Sequence, residues 1–247
     1  MPKKLIQAEQ NGTIPPIETK TVKTARAKKT LAVSTEKTAD NTFKTESSPS
    51  VLKIQQPSTV WPFQLDHVED WAYFQGAFSP EDCKKIVEIG NSRLVEDARI
   101  RGNQVDTKIR DSKTAWIMPN DDSDWVFRRV TDIIVDLNSR FFKFDLFGFI
   151  EGFQFTRYDA PGGKYNQHVD RGLNTWTRKL SFTLQLSDPK DYKGGELELL
   201  YGDEPTKPSK EQGFIAVFPS YVLHRVTPVT KGTRYSLVAW ITGPSFK

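Results

Sequence analysis

Residues 147–158 read FGFIEGFQFTRY, and from here onward the chain keeps a period of two. Phe149, Glu151, Phe153, Phe155 and Arg157 alternate with Ile150, Gly152, Gln154, Thr156 and Tyr158. Successive side chains of an extended chain point to opposite faces, so this alternation predicts a β-strand. Further strand-like runs fall at residues 180–186, 196–200, 214–218, 224–226 and 234–241. Turn signals separate them: Pro161-Gly162-Gly163, Asp188-Pro189, Gly194-Gly195, Gly202-Asp203 and Lys231-Gly232. Many short strands at this spacing predict a sandwich or barrel.

Upstream, the period lengthens to that of a helix. Ser79-Pro80-Glu81-Asp82 supplies an N-cap, a proline in the first turn and two acids facing the positive end of the helix dipole. The helix then runs through Ile86, Val87 and Ile89 towards Gly90. A second helix is expected to start between Asp122 and Asp124. It sets Trp125, Val130, Ile133, Ile134, Leu137 and Phe141 on one stripe. Both stripes read as core. With helices ahead of strands, the expected class is α+β, mainly β. The architecture is a double-stranded β-helix (jelly roll) with flanking N-terminal helices packed on one sheet. No internal repeat is visible.

Composition narrows the class further. The 247 residues are 37% apolar and 12% aromatic, enough to furnish the core of one sizeable domain. Cys83 is the only cysteine, so no internal disulfide asks for an oxidising compartment. The opening MPKKLIQAEQ has no apolar run behind its lysines, and no stretch approaches the ~18 apolar residues of a membrane span. A soluble, cytoplasmic protein is expected. Residues 1–55 hold nine lysines and Arg26 against five acids, a net +5, which leaves −1 of the total +4 for the remainder. This stretch is poor in aromatics and lacks a hydrophobic period, so 1–55 is expected to be a disordered basic tail. It reads as a solvated tether, or as an arm that contacts nucleic acid or an acidic partner. Order is expected to begin near Trp61, and 56–247 to form the single domain. The near-neutral charge of that domain argues against a nucleic-acid-binding body.

The chemistry rests on a few polar residues in the strand-rich half. The chain has three histidines. His67 lies among Asp66, Glu69 and Asp70, outside the strands, and is expected at the surface. His168 and Asp170, two apart on extended backbone, point the same way and can meet on one ion. His224, 56 residues on, would complete a set of two imidazoles and one carboxylate. Such a set leaves three of six octahedral positions open, as in non-haem Fe(II) oxygenases. The spacing H-x-D alone is weak evidence, because it arises by chance. Arg234 enters the apolar strand Tyr235-Ser236-Leu237-Val238-Ala239-Trp240 and calls for an anion. That anion is either the distal carboxylate of 2-oxoglutarate or an internal partner such as Glu196 or Glu198. Thr183 and Gln185 alternate with Leu184 and Leu186, so they are expected to face the interior and a co-substrate. Trp240, six residues past Arg234 on the same face, could wall the pocket. Arg110, Asp111 and Ser112 form either a substrate lip or a solvated loop. Gly194-Gly195 is expected to make a turn of unusual φ without a chemical role.

Taken in order, these segments resemble the prolyl 4-hydroxylase-like 2-oxoglutarate/Fe(II) dioxygenases, and within them the bacterial and phage PKHD-type hydroxylase branch. The motifs are Tyr158-Asp159-Ala160-Pro161-Gly162-Gly163, His168-Val169-Asp170, Arg178-Lys179-Leu180-Ser181 and Leu184-Gln185-Leu186-Ser187. They continue in Tyr192-Lys193-Gly194-Gly195-Glu196-Leu197, Phe218-Pro219-Ser220 leading to His224-Arg225-Val226-Thr227-Pro228-Val229, and Gly232-Thr233-Arg234-Tyr235-Ser236. The likeness is strong over about the last 90 residues and weak upstream, where Arg110-Asp111-Ser112 and Trp116 carry it. It does not reach residues 1–60.

The resemblance implies Fe(II) on His168, Asp170 and His224, with 2-oxoglutarate and O2 as co-substrates and ascorbate as an optional addition. Arg234 would take the C5 carboxylate, helped by the Tyr158 hydroxyl. The implied reaction is hydroxylation of an unactivated C–H bond with release of succinate and CO2. A prolyl residue in a peptide or protein is the favoured target; a free amino acid, a small molecule or a nucleic acid is the alternative. Asp170 speaks against halogenation, since related halogenases lack the carboxylate. Trp240 stands where nucleic-acid-dealkylating relatives carry a second arginine. A non-enzymatic metal-binding jelly roll would need neither Arg234 nor Tyr158.

Overall fold

The alternation in the strand after residue 152 divides the molecule into two environments. A computed structural model of the chain describes residues 68–93, 96–98, 105–172, 175 and 177–245, all within the unit Pro62–Lys247. The expected tail, the expected start of order near Trp61, and His67 lie outside the described residues. In chain order the elements begin with β1 (Ala72–Phe74), α1 (Pro80–Asn91), β2 (Glu96–Asp97), β3 (Arg110–Asp111), β4 (Lys113–Ile117) and α2 (Asp124–Leu137). A π-helical turn at Asn138–Phe142 follows. Then come β5 (Phe153–Asp159), β6 (Lys164–His168), β7 (Arg178–Gln185), β8 (Lys193–Gly194) and β9 (Leu197–Leu199). The chain closes with β10 (Ile215–Pro219), β11 (His224–Val226), β12 (Val229–Lys231) and β13 (Thr233–Thr242).

Seven strands form the major sheet in the order β1-β10-β7-β13-β5-β4-β2, and β3-β6-β11-β9 form a minor sheet. A further pair, β12-β8, closes one end. Pairing throughout is antiparallel. This is the expected jelly roll with helices laid on one sheet.

Register assigns the faces, because residues opposite each other across antiparallel strands share one. Tyr158, Thr156 and Gln154 of β5 stand opposite Arg234, Ser236 and Val238 of β13. Gln185, Thr183 and Ser181 of β7 stand opposite Ser236, Val238 and Trp240. Apart from the half-buried Val238, these residues make up a buried face rich in polar groups. The opposite face is apolar: Phe153, Phe155, Phe182, Leu184, Leu237 and Ile241 pack into one cluster with Ile86 of α1 and Val130, Ile134 and Leu137 of α2. The strand positions that read as amphipathic are therefore buried on both sides, apolar towards the helices and polar towards the interior.

Ser79 caps α1 as expected, its hydroxyl accepting from Asp82 N while Ser79 N donates to the Asp82 carboxylate. Gly90, near the end of α1, lies flat on the Phe155 ring, where any Cβ would overlap the ring carbons. Two expectations need correction. The strand begins at Phe153 and not near residue 147; Phe147 and Ile150 project into solvent at 75% and 72% exposure, outside any strand. The aromatic alternation before Phe153 continues the pattern of β5 but meets the sheet in an isolated bridge, Gly148 with Thr242 of β13, and forms no continuous ladder. Phe141 lies in the π-helical turn beyond α2, half-buried beside the core.

Cys83 of α1 is fully buried. Burial, with the negative charge of Asp82 behind it, pushes its thiol from 9.0 up to about 12. The folded protein holds this proton where the unfolded chain releases it. The contribution to stability is therefore complete below pH ~8.5 and declines as pH rises towards 12. A thiol reagent at pH 8 is expected to leave the native protein untouched and to titrate one thiol after unfolding in urea. Reaction with the native protein at the unfolded rate would contradict this burial.

Candidate active site

Strand pairing brings together the two distant histidines. His168, at the end of β6, is the register partner of His224, at the start of β11. Their rings lie 4.2 Å apart between centroids. Asp170, just past β6, directs its carboxylate at both: Oδ1 is 3.7 Å from His168 Nε2 and Oδ2 is 3.5 Å from His224 Nε2. Ligand atoms from the three side chains all fall within 4.8 Å of one another.

The imidazole tautomers follow from the backbone. His168 Nδ1 lies 2.8 Å from Asn166 O, and His224 Nδ1 lies 2.9 Å from Val222 O. A carbonyl oxygen only accepts, so each Nδ1 carries the proton and donates it. Each Nε2 then presents its lone pair to the centre, the arrangement typical of metal-binding histidines. Burial, followed by the neighbouring His224 charge, lowers His168 from 6.5 to about 4, which keeps it neutral and able to coordinate. Burial works to raise the Asp170 carboxyl. The two imidazoles outweigh it, aided by Ser181 and Trp240, and hold Asp170 below its ordinary value. Two imidazoles and one carboxylate, converging from one side, fit a divalent metal with open positions.

A set of side chains missing from the sequence reading holds these ligands. Ser181 Oγ donates to Asp170 Oδ2 at 2.7 Å and lies 2.9 Å from Ser220 Oγ. Arg178 Nη1 donates to the Asp170 carbonyl at 3.3 Å, its guanidinium forks onto Glu151 at 2.7 and 2.8 Å, and it lies 3.7 Å from the centroid of the Trp240 ring. Tyr165 stacks on His168 at 3.5 Å, and Phe218 stands against His224 at 4.8 Å. The signal available in the sequence was a small hydroxyl residue at an inward strand position, Ser181, and another just past the end of β10, Ser220.

Arg234 is fully buried on the interior face. Its Nη2 donates to Gln185 Oε1 at 2.9 Å, its Nη1 is 3.4 Å from Ser236 Oγ, and its Nε has no hydrogen-bond partner. The internal partners considered for it are engaged elsewhere. Glu196 pairs with Lys210 and accepts from Thr227, while Glu198 pairs with Arg225 and Lys207. Among the described residues no carboxylate forms an ion pair with Arg234. Tyr158, its register partner, is buried with its ring centroid 5.3 Å from the guanidinium carbon. Thr183 and Gln185 both face the interior, and Gln185 touches Arg234 directly.

Arg110 is not a solvated loop residue. It lies in β3, buried, and crosses from the minor to the major sheet: Nη2 donates to Gln154 Oε1 at 2.8 Å and Nε to Ser112 Oγ at 2.9 Å. Its guanidinium sits 4.6 Å from the centroid of Tyr165, the ring that stacks on His168. Trp240 is buried beside Asp170, whose carboxyl it helps to hold down, and Trp116 packs against it at 6.2 Å while remaining 45% exposed. The two tryptophans form an aromatic wall that reaches solvent.

Comparisons with known proteins agree with this geometry. Residues 153–242 match the family model of the 2OG-Fe(II) oxygenase superfamily. A PKHD-type hydroxylase of Gloeothece citriformis is 44% identical over 95 residues, 37% of this chain and 43% of that protein. Another from Prochlorococcus marinus is 42% identical over 93 residues, 37% of this chain and 42% of its own length. The chain thus spans less than half the length of the curated relatives it matches. A Trichoplax adhaerens prolyl hydroxylase, solved with a hypoxia inducible factor peptide fragment, superposes with a TM-score of 0.61 at 18% identity, over 70% of this chain and 83% of that one. A Pseudomonas putida prolyl-4-hydroxylase superposes at 0.57 and 23% identity, over 71% and 94%.

Removing the Ser181 hydroxyl frees the Asp170 carboxylate to rotate. Ser181→Ala is expected to weaken Mn(II) binding by about 10–100-fold, read by electron paramagnetic resonance titration, without loss of the fold. Wild-type affinity in this variant would show that Asp170 is held by other means. In sequence and in jelly-roll fold, residues 153–242 carry the features of the 2OG-Fe(II) oxygenase superfamily.

Proposed function

We propose that the protein is a 2-oxoglutarate- and Fe(II)-dependent dioxygenase that hydroxylates a C–H bond, with a prolyl residue of a peptide or protein as substrate. One observation carries this reading. The interior holds both a His168, Asp170, His224 ligand set and, on the same strand-lined face, a buried guanidinium without an anion. Strand β7 links them: Ser181 touches Asp170, and Gln185, four residues on, touches Arg234. At ~3.3 Å per residue these positions lie about 13 Å apart, and side chains from both ends narrow the gap. A short dicarboxylate with one metal-chelating end suits it.

Bound there, Fe(II) with 2-oxoglutarate and O2 supplies the chemistry: one oxygen atom enters the substrate C–H bond and the other enters succinate, with loss of CO2. His168, Asp170 and His224 would hold the metal. Arg234, oriented by Gln185 and Ser236, would take the distal carboxylate through charge-assisted hydrogen bonds. Tyr158 lines the same end. Tyr165 and Phe218 cover the imidazoles and exclude water from them. Arg110 and Trp240 lie on the substrate side, where Trp116 offers an exposed aromatic face against which a pyrrolidine ring can pack. The prolyl hydroxylase names among the relatives of the fold support a peptide substrate. Residues 1–55, as a basic tail, would tether the 56–247 domain to an acidic partner. No helix among the described residues is long and apolar enough to cross a membrane, and we place the enzyme in the cytoplasm.

The test is succinate release in the presence of Fe(II), 2-oxoglutarate and a panel of proline-rich peptides, free amino acids and oligonucleotides, with mass spectrometry for one added oxygen. A proline peptide is expected to stimulate turnover and gain the oxygen. Arg234→Ala is expected to raise the 2-oxoglutarate requirement by about 100-fold or more, since each hydrogen bond to a charged group is worth about 1.5–3 kcal/mol. Unchanged co-substrate dependence in that variant would refute the assigned anion.

A further inference from the structure

The interior face of the major sheet does not end at the metal ligands. Trp116 of β4 stands opposite Gln154 of β5 and so shares that face. Gln154 is buried, whereas Trp116 is 45% exposed and Met118, two residues on, is 56% exposed. Gly152 lies two residues before Gln154. A Cβ there would stand 2.5 Å from Met118 Sδ and 2.7 Å from Ile117 O, so the missing side chain lets the methionine lie over the backbone. Ile150, in the bend just upstream, is 72% exposed. The face thus passes from buried hydroxyls and amides to an open apolar shelf.

Trp240 joins the shelf to the metal ligands. It lies beside Asp170, and its ring stands 6.2 Å from that of Trp116. Arg178 covers it at 3.7 Å and is itself held by Glu151 at 2.7 and 2.8 Å. The indole is therefore fixed before anything docks, which spares the cost of ordering it on binding. Trp116 to Met118 is two strand positions. At ~3.3 Å per residue, added to the 6.2 Å between the indoles, Met118 lies roughly 13 Å from Trp240. About four residues of extended polypeptide span that distance. A free amino acid fills the metal end alone and leaves the shelf bare. A polypeptide fits both parts, with its reacting residue at the metal end and an apolar side chain on the shelf. Contiguous exposed apolar surface marks such contacts, and methionine adapts to varied side chains.

Resting on the peptide substrate read under Proposed function, we infer that Met118 and Gly152, beyond Trp116, form a docking surface for that peptide and select an aliphatic or aromatic side chain about four residues from the hydroxylated one. This surface is a specificity determinant on the substrate side, remote from the co-substrate end of the interior.

The experiment measures succinate release by the full chain with Fe(II), 2-oxoglutarate and single-proline peptides that carry leucine or serine about four residues before or after the proline. Leucine on one of the two sides is expected to lower KM by about 10-fold relative to serine, the effect of burying much of one aliphatic side chain. In Met118→Asp that advantage is expected to vanish, with the loss in KM and not in kcat, while Met118→Leu retains it. Equal KM for leucine and serine peptides in the wild type would overturn the inference and leave the peptide reading intact. A leucine preference that survives in Met118→Asp would do the same, by placing the apolar contact elsewhere. Dimers in sedimentation that Met118→Asp dissociates would give the surface to a second copy of the chain and likewise overturn it. If a free amino acid is turned over and no peptide is, the reading under Proposed function fails and the docking surface with it.

Discussion

A guanidinium buried without an ion pair is the constraint around which this interior is arranged. Removing a charge from water costs several kcal/mol unless the site returns comparable interactions. The Arg234 guanidinium donates to the neutral groups Gln185 and Ser236, and among the described residues no carboxylate pairs with it. The major sheet therefore cannot be apolar on both faces. It gives its phenylalanines and leucines to the helices and keeps Gln154, Thr156, Tyr158, Ser181, Thr183 and Gln185 on the inside. That polar row runs from the guanidinium to Asp170, so the anion-receiving end and the metal-binding end are built on the same strands.

The metal-binding end depends on backbone pairing more than on the side chains themselves. Residues 56 positions apart meet because β6 and β11 are neighbours in register at His168 and His224. Carbonyls two residues upstream then fix both tautomers. Ser181 and Ser220 orient the carboxylate, and Arg178 restrains its backbone while covering Trp240. Ligand preorganisation of this kind spares the site the cost of ordering its ligands when a metal binds.

Much of the site could be read in the chain because its signals are local or stand out chemically. A histidine and an aspartate two apart, a second histidine, and an arginine entering an apolar strand need no tertiary knowledge to be noticed. Strict alternation likewise placed Thr183 and Gln185 indoors, and Gln185 does touch Arg234. The capping of α1 was equally local. Other features exist only in three dimensions. β2, β3, β8 and β12 are two or three residues long, too short to show a period, whereas the run at 224–226 reads as strand and is β11. The alternation before Phe153 looked like strand, but it makes an isolated bridge, Gly148 with Thr242 of β13, and no continuous ladder. Arg110 reads either as a substrate lip or as a solvated loop residue; its burial comes from Gln154 on the other sheet and from Tyr165.

The central claim is that metal ligands and buried arginine serve a single small molecule. Its most direct test is the absorption spectrum of the protein with Fe(II) and 2-oxoglutarate in the absence of O2. The account predicts a weak visible metal-to-ligand charge-transfer band that requires both additions and disappears in His168→Ala. Metal binding without such a band, at 2-oxoglutarate concentrations that saturate related oxygenases, would show that the arginine and the metal site do not share a ligand.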